Sequence, residues 1–293
     1  MIIVAALIAA VVLFLERAAQ RPEDSAARRV IGQETPEKAA AKKTPGPDSG
    51  PTPRETAYPD RSIAIIIDDI GFDLRIVEKL AGIPAPIAFA VLPDTPHAVE
   101  AANRLHAAGK EILLHLPMEP LVYTRESLGA GALMADMNAE EIRRRIREGL
   151  AAVPFVSGVN NHMGSRFMED ETSLAIVMEE LRARGLFFVD SMTTSDSRGR
   201  ESAERTGVRF AARDIFIDHV PGYAAALENL TGVFRQGQRN GMPVLMIGHP
   251  HPETVRAILD ALPVWQTEGI KMIPVSACLG NSVERESRTR SQK

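Results

Sequence analysis

At 293 residues, 45% of them hydrophobic, the chain has enough apolar material for one large α/β domain or two small ones. A formal net charge of −4, an aromatic content of 5% and the lack of any basic cluster interleaved with aromatics exclude a nucleic-acid surface built on phosphate clamps and stacking platforms. One cysteine, Cys278, excludes an intramolecular disulfide and any zinc site made from several cysteines.

Residues 1–17 hold an unbroken apolar run, Ile2 to Leu15, followed by Glu16 and Arg17. That run is short of the roughly 20 residues a spanning helix needs and closer to a signal-peptide core, so it is expected to be an export or anchor segment. The expected location is therefore outside the cytoplasm, periplasmic or held at the inner membrane and facing outward. Residues 18–60 carry Pro22, Pro36, Pro45, Pro47, Pro51, Pro53 and Pro59 among charged and small residues, and predict a disordered tether. Residues 61–280 are the expected folded domain, and 281–293 a polar tail.

Within the domain, apolar runs alternate with helical patterns. Ile63 to Ile67 is β-branched and uninterrupted, as suits a strand buried on both faces. A helix from about Phe72 to Ala81 leads to a second run, Pro86 to Leu92. Ala98 to Ala108 reads as a helix closed by Gly109, and Glu111 to Leu116 as the third strand. After a Gly-rich stretch from Leu128 to Ala132, Asn138 and Glu141 have capping-box spacing at the head of a helix whose Arg143, Arg144, Arg145 and Arg147 form a solvated face. Phe155 to Asn160 is the fourth strand, Thr172 to Arg184 a helix, and Leu186 to Val189 the fifth strand. Val208 to Ala211 and Ile215 to Ile217 are short strand candidates. A helix from Tyr223 to Arg239, a strand from Pro243 to Ile247, a helix from Glu253 to Leu262 and a strand from Ile270 to Ile273 complete the pattern. This order predicts right-handed crossovers and an α/β fold, an irregular parallel β/α barrel of about seven strands.

Polar residues fall at the strand ends, which in such a barrel lie on one face. Asp68 and Asp69 follow the first strand, His115 ends the third, Asn160, Asn161 and His162 the fourth, Asp190 and Ser191 the fifth, and His249 a late one. These types suit a divalent metal held by carboxylate and imidazole. Successive side chains of an extended strand point to opposite faces, so Asp68 and Asp69 are expected to take different roles, one binding metal and the other acting as a base. The bland alternative has them capping the helix near Phe72. His97, His106 and His219 read as surface or loop residues, and His251 as part of a helix approach. His249 is the natural general acid, and Asn160 or Asn161 an oxyanion donor, with Asn161 preferred.

The blocks Ile67-Asp68-Asp69-Ile70-Gly71, Leu114-His115-Leu116-Pro117-Met118-Glu119, Asn160-Asn161-His162-Met163-Gly164-Ser165, Phe188-Val189-Asp190-Ser191 and Ile247-Gly248-His249-Pro250 resemble those of the divergent polysaccharide deacetylase family, related to NodB-type carbohydrate esterases. The resemblance covers about Ile63 to Val275. It implies a NodB-like barrel, a divalent metal such as zinc, and hydrolysis of acetyl groups on a polysaccharide or peptidoglycan-like substrate. It casts Asp68 as base, Asp69 and His115 as metal ligands and His249 as acid. Glu119 stands where the related enzymes have a second metal histidine, so either His162 supplies that ligand or the metal is held differently. The same residues also allow a noncatalytic carbohydrate- or protein-binding platform.

Overall fold

A computed structural model describes residues 61–123, 128, 129, 131–234 and 242–279. The expected leader, tether and polar tail, and the 235–239 end of one expected helix, lie outside the described residues.

In chain order the elements are β1 (Ser62–Ile70), α1 (Leu74–Ala81), β2 (Ala88–Val91), α2 (Ala98–Ala107), β3 (Glu111–Met118), α3 (Ala139–Ala152), β4 (Val156–Met163), a 3₁₀ turn (Phe167–Glu169), α4 (Glu171–Arg182), β5 (Phe187–Asp190), α5 (Gly199–Thr206), β6 (Phe210–Ala212), β7 (Ile215–Phe216), α6 (Tyr223–Thr231), β8 (Val244–Gly248), α7 (Pro252–Thr267), β9 (Lys271–Met272) and α8 (Val275–Cys278). The sheet is parallel and runs β6-β5-β4-β3-β2-β1-β8-β7, with β9 on the start of β1. The two ends of that path are consecutive in the chain. Arg213 N donates to Asp190 O beyond β6 and the next amide, Asp214 N, donates to Leu245 O beside β7. A single kinked stave, β6 then β7, therefore bonds β5 on one side and β8 on the other, and the sheet curls into a barrel of seven staves. The expected NodB-like barrel of about seven strands is what forms.

Alternation sorts the side chains. Ala64 and Ile66 of β1, Leu113 of β3, Phe187 and Val189 of β5, and Leu245 and Ile247 of β8 share an inner cluster closed by Val275, Cys278 and Leu279. Their neighbours Ile63, Ile65, Ile67, Leu114, Phe188 and Met246 pack outward with the helices. This two-sided burial is why the strands read as continuous apolar runs. Gly158 is required by the inner row, since a Cβ there would lie 2.3–2.5 Å from the Phe187 ring.

Several element boundaries differ from expectation. Helix α1 is capped by Asp73, whose side chain accepts from Arg75 N, which leaves Asp68 and Asp69 free of that task. The capping box at Asn138 and Glu141 forms, and Arg143, Arg144 and Arg147 pair with Glu179, Glu148 and Glu180. Helix α5 was not anticipated; it buries Gly199, Ser202, Ala203 and Thr206, small residues without the apolar period that marks a helix. Helix α6 stops at Thr231 before Gly232, shorter than the Tyr223–Arg239 expectation. Helix α7 runs through Pro263 instead of stopping at Leu262, anchored beyond it by Trp265, whose indole N–H donates to Leu230 O at 3.0 Å.

Candidate functional site

The inner rows that are apolar lower in the barrel become polar at their carboxyl ends. Continuing two residues at a time, β1 goes from Ala64 and Ile66 to Asp68, β3 from Leu113 to His115, β4 from Gly158 to Asn160 and His162, and β8 from Leu245 and Ile247 to His249. Strand parity alone thus aims five of these side chains into one place.

Asp69 arrives by a different route. Strand β1 pairs Ile67 with Phe89 and next Ile70 with Val91, so three steps on β1 face two on β2. The extra residue is a bulge, and Asp69 sits in it at φ 55°, the left-handed region in which Asp is among the more tolerated residues. The bulge overrides alternation and brings both carboxylates to one face, which corrects the expectation that neighbouring aspartates must diverge. Gly71 makes the exit possible at φ 129°, where a Cβ would collide with Thr95 Oγ1 at 1.9 Å.

The resulting geometry is close. His115 Nε2 lies 3.2 Å from Asp69 Oδ1, His162 Nδ1 lies 3.0 Å from the same oxygen, and the two nitrogens are 3.1 Å apart. Asp69 Oδ1 is buried and receives no hydrogen bond of acceptable geometry. Donor atoms on a tetrahedral zinc at about 2.0–2.1 Å stand roughly 3.3 Å apart, so the three atoms are spaced as ligands of one ion. Three electron-rich atoms at this spacing need a cation or protons among them. Asp69, His115 and His162 accordingly fit a divalent metal by donor type, spacing and the orphaned oxygen.

Around this triad each partner is fixed. Asp68, 3% exposed, places Oδ2 3.7 Å from His115 Nε2 and accepts from Asn160 Nδ2 at 2.8 Å through Oδ1. Burial raises its pKa, only partly offset by His115 and Asn160. Burial would also raise Asp69, but His115 and His162 outweigh it and hold that carboxyl well below its ordinary value. His115 is pulled down by burial and more strongly up by Asp68 and Asp69, so its pKa is raised. His249 Nε2 stands 3.8 Å from Asp69 Oδ2. Its Nδ1 lies 3.1 Å from Asp218 Oδ1, and its backbone N–H donates to Asp218 Oδ2 at 2.7 Å, an oxygen that also accepts from Thr254 Oγ1. Burial lowers His249, but Asp218 outweighs it and raises its pKa. Asp218, His249 and His251 form a second group of potential donors, yet both Asp218 oxygens are already engaged by His249 and Thr254.

Asn161 is a correction. It lies on the outward parity of β4, where Oδ1 accepts from Ser191 N at 2.8 Å and Nδ2 donates to Met163 O and Thr193 Oγ1. Its amide braces the turns after β4 and β5 instead of facing the cluster. Asp190 is also outward, accepting from Met192 N and Ser197 Oγ. Glu119 is buried, but it pairs with Arg166 at 2.9 Å and accepts from Ala135 N at 2.8 Å. Asn160, expected as the alternative to Asn161, is the one that reaches the site, between Asp68 and His115. Two contributors were missed: Asp218 behind His249, and Arg213, which donates to Ser191 O and Met192 O where Met192 takes φ 52°. The signal for Asn160 was present, because it lies two residues before His162 and must share its face.

A seven-stave β/α barrel with carboxylates and imidazoles gathered at its strand ends defines a NodB-like fold with a candidate metal and acid–base centre. The chain belongs to the divergent polysaccharide deacetylase family, whose sequence profile matches residues 65–279. It is 37% identical over 196 residues to the uncharacterized protein YibQ of Escherichia coli K12, covering 67% of this chain and 60% of that one. The chain thus spans less than two thirds of the length of that relative. It is 30% identical over 205 residues to an uncharacterized protein of Haemophilus influenzae, covering 70% of this chain and 72% of the other. A crystal structure of an uncharacterized protein from Agrobacterium tumefaciens C58 superposes with TM-score 0.71 at 24% identity, covering 77% of this chain and 91% of that one, a likeness of fold.

Proposed function

We propose that this protein is a metal-dependent hydrolase that removes acetyl groups from an amino-sugar polymer of the cell envelope. The observation that carries the reading is the cluster itself. A buried carboxylate, Asp68, and an imidazole backed by a carboxylate, His249 with Asp218, lie beside a three-donor metal site. Family membership supports the substrate class, and the apolar run at Ile2 to Leu15 supports action outside the cytoplasm, at or beyond the inner membrane.

Asp69, His115 and His162 would hold the divalent ion, with zinc the best match to one carboxylate and two imidazoles. When bound, that ion supplies a Lewis acid that polarises the acetyl carbonyl. Asp68 takes a proton from the water that attacks the carbonyl carbon. His249, with Nδ1 committed to Asp218, offers Nε2–H to the amide nitrogen as the C–N bond breaks. The products are acetate and a free amine, and both protons are accounted for.

The test is acetate release from an acetylated amino-sugar oligomer, measured beside metal content for the wild type and Asp68→Asn. Retained metal with loss of release in the variant is expected. Unchanged release would remove Asp68 as the base. Stoichiometric metal with no release by the wild type from chitin- or peptidoglycan-like substrates would favour a noncatalytic carbohydrate- or protein-binding role.

A further inference from the structure

The geometry points to Asn160 as a positioning residue that ties the metal ligand His115 to the base Asp68, an inference that rests on the function proposed above. Asn160 is fully buried on the inner row of β4, two residues before His162. Its amide makes three side-chain contacts. Nδ2 donates to Asp68 Oδ1 at 2.8 Å and to Ser191 Oγ at 3.2 Å, while Oδ1 lies 3.0 Å from His115 Nδ1.

A carboxylate accepts and does not donate, so the NH₂ end must face Asp68 and the carbonyl end must face His115. The carbonyl can only accept, so His115 carries its proton on Nδ1. Nε2 is left to face Asp69 Oδ1 and His162 Nδ1, the atoms spaced for one ion. Fixing the unused nitrogen of a metal-binding histidine in this way sets both its tautomer and its ring angle. The same rigid plane holds the Asp68 carboxylate at a set distance from that histidine. Only an amide supplies one acceptor and two donors across so short a span: Asp would keep the acceptor and lose the donors, and Leu would keep the shape and lose both.

That difference separates the two arms. The full chain, its Asn160→Asp and Asn160→Leu variants, and a Ser191→Ala control are titrated with zinc by calorimetry and assayed for acetate release. Cobalt absorption spectra report the ligand field. Asn160→Asp still accepts from His115, so its zinc affinity and cobalt spectrum stay within about 3-fold and in shape those of the wild type, while release falls at least 100-fold because a carboxylate then opposes Asp68. Asn160→Leu loses about 10- to 100-fold in zinc affinity, as expected when the outer partner of a metal-binding histidine is removed. Wild-type zinc affinity in Asn160→Leu overturns the histidine arm, and wild-type release in Asn160→Asp overturns the base arm. Circular dichroism identifies a variant that has not folded, and Asn160→Ser, too short to span His115 and Asp68, then replaces it, with losses of both zinc affinity and release expected. If the wild type binds zinc but releases no acetate, the deacetylase reading fails, and the affinity ranking of the variants still decides the role of Asn160 at His115.

Discussion

The two ends of the barrel interior are built on the same strands and the same alternation, but with opposite chemistry. At the amino end of the inner rows, Ala64, Ile66, Leu113, Phe187 and Leu245 fill the space and Val275, Cys278 and Leu279 close it. Two to four residues further along those rows stand Asp68, His115, Asn160, His162 and His249, mutually close and partly deprived of water. The lower end stabilises by excluding water and filling volume. The upper end holds titratable groups whose burial costs stability unless ions or hydrogen bonds offset it. Backbone strain leans the same way among the described residues: of four non-glycine residues at positive φ, Asp69, Met163 and Met192, at 55°, 54° and 52°, lie at or just past carboxyl ends of strands, and Phe155, at 64°, precedes β4. One end holds the fold, and the other depends on it.

Substitutions can break that division. The largest effect is expected low in the barrel: Phe187→Ala should cost about 3–5 kcal/mol of stability through lost burial and a cavity. The folded fraction should keep its metal affinity, read by denaturant unfolding with and without zinc. A large loss of metal affinity there would show that the two ends are not separable. At the upper end, Asp218→Asn should cost less stability than that but lower acetate release by about 10- to 100-fold, within the range of a general acid's contribution. The sign with pH is fixed. Asp218 raises His249 against the lowering effect of burial. Removing its charge leaves only the smaller upward pulls of Asp69 and Asp68 against burial, so the proton-donating form is lost at lower pH and the alkaline limb of the rate profile moves down in pH. The stabilisation of the pair is fullest above the ordinary Asp value of 3.8, because Asp218 is depressed, and below the ordinary His value of 6.5, because His249 is raised. It fades as pH falls through the first folded value or rises through the second, so the stability gap between wild type and variant should be widest between them. The smallest effect is expected beside the site. Glu119→Gln weakens the contacts to Arg166 and Ala135 N and should cost about 1–2 kcal/mol of stability with zinc affinity unchanged. A matching loss of zinc affinity would instead make Glu119 a ligand.

The strands were legible because burial on both faces demands contiguous apolar residues, and the polar residues that end those runs marked the site. Asn160 and Asn161 could also have been separated: once His162 faces the site, alternation includes Asn160 and excludes Asn161. Asp69 was not legible in this way. No residue pattern announced a bulge at a non-glycine residue in the left-handed region, so the aspartates were expected to diverge. Helix α5 was hidden for a different reason, since its contacts are made by Ser202, Ala203 and Thr206. Asp218 sits just past two-residue β7, in a stave too short for its parity to be read without the partners it bonds.

The central claim is that Asp69, His115 and His162 hold one metal ion, and anomalous scattering at the zinc edge from crystals of the protein tests it most directly. The account predicts a single strong peak within about 2.0–2.2 Å of Asp69 Oδ1, His115 Nε2 and His162 Nδ1. A fully occupied peak at Asp218 and His251 with none at the triad, or no peak at the triad in zinc-soaked crystals, would contradict it.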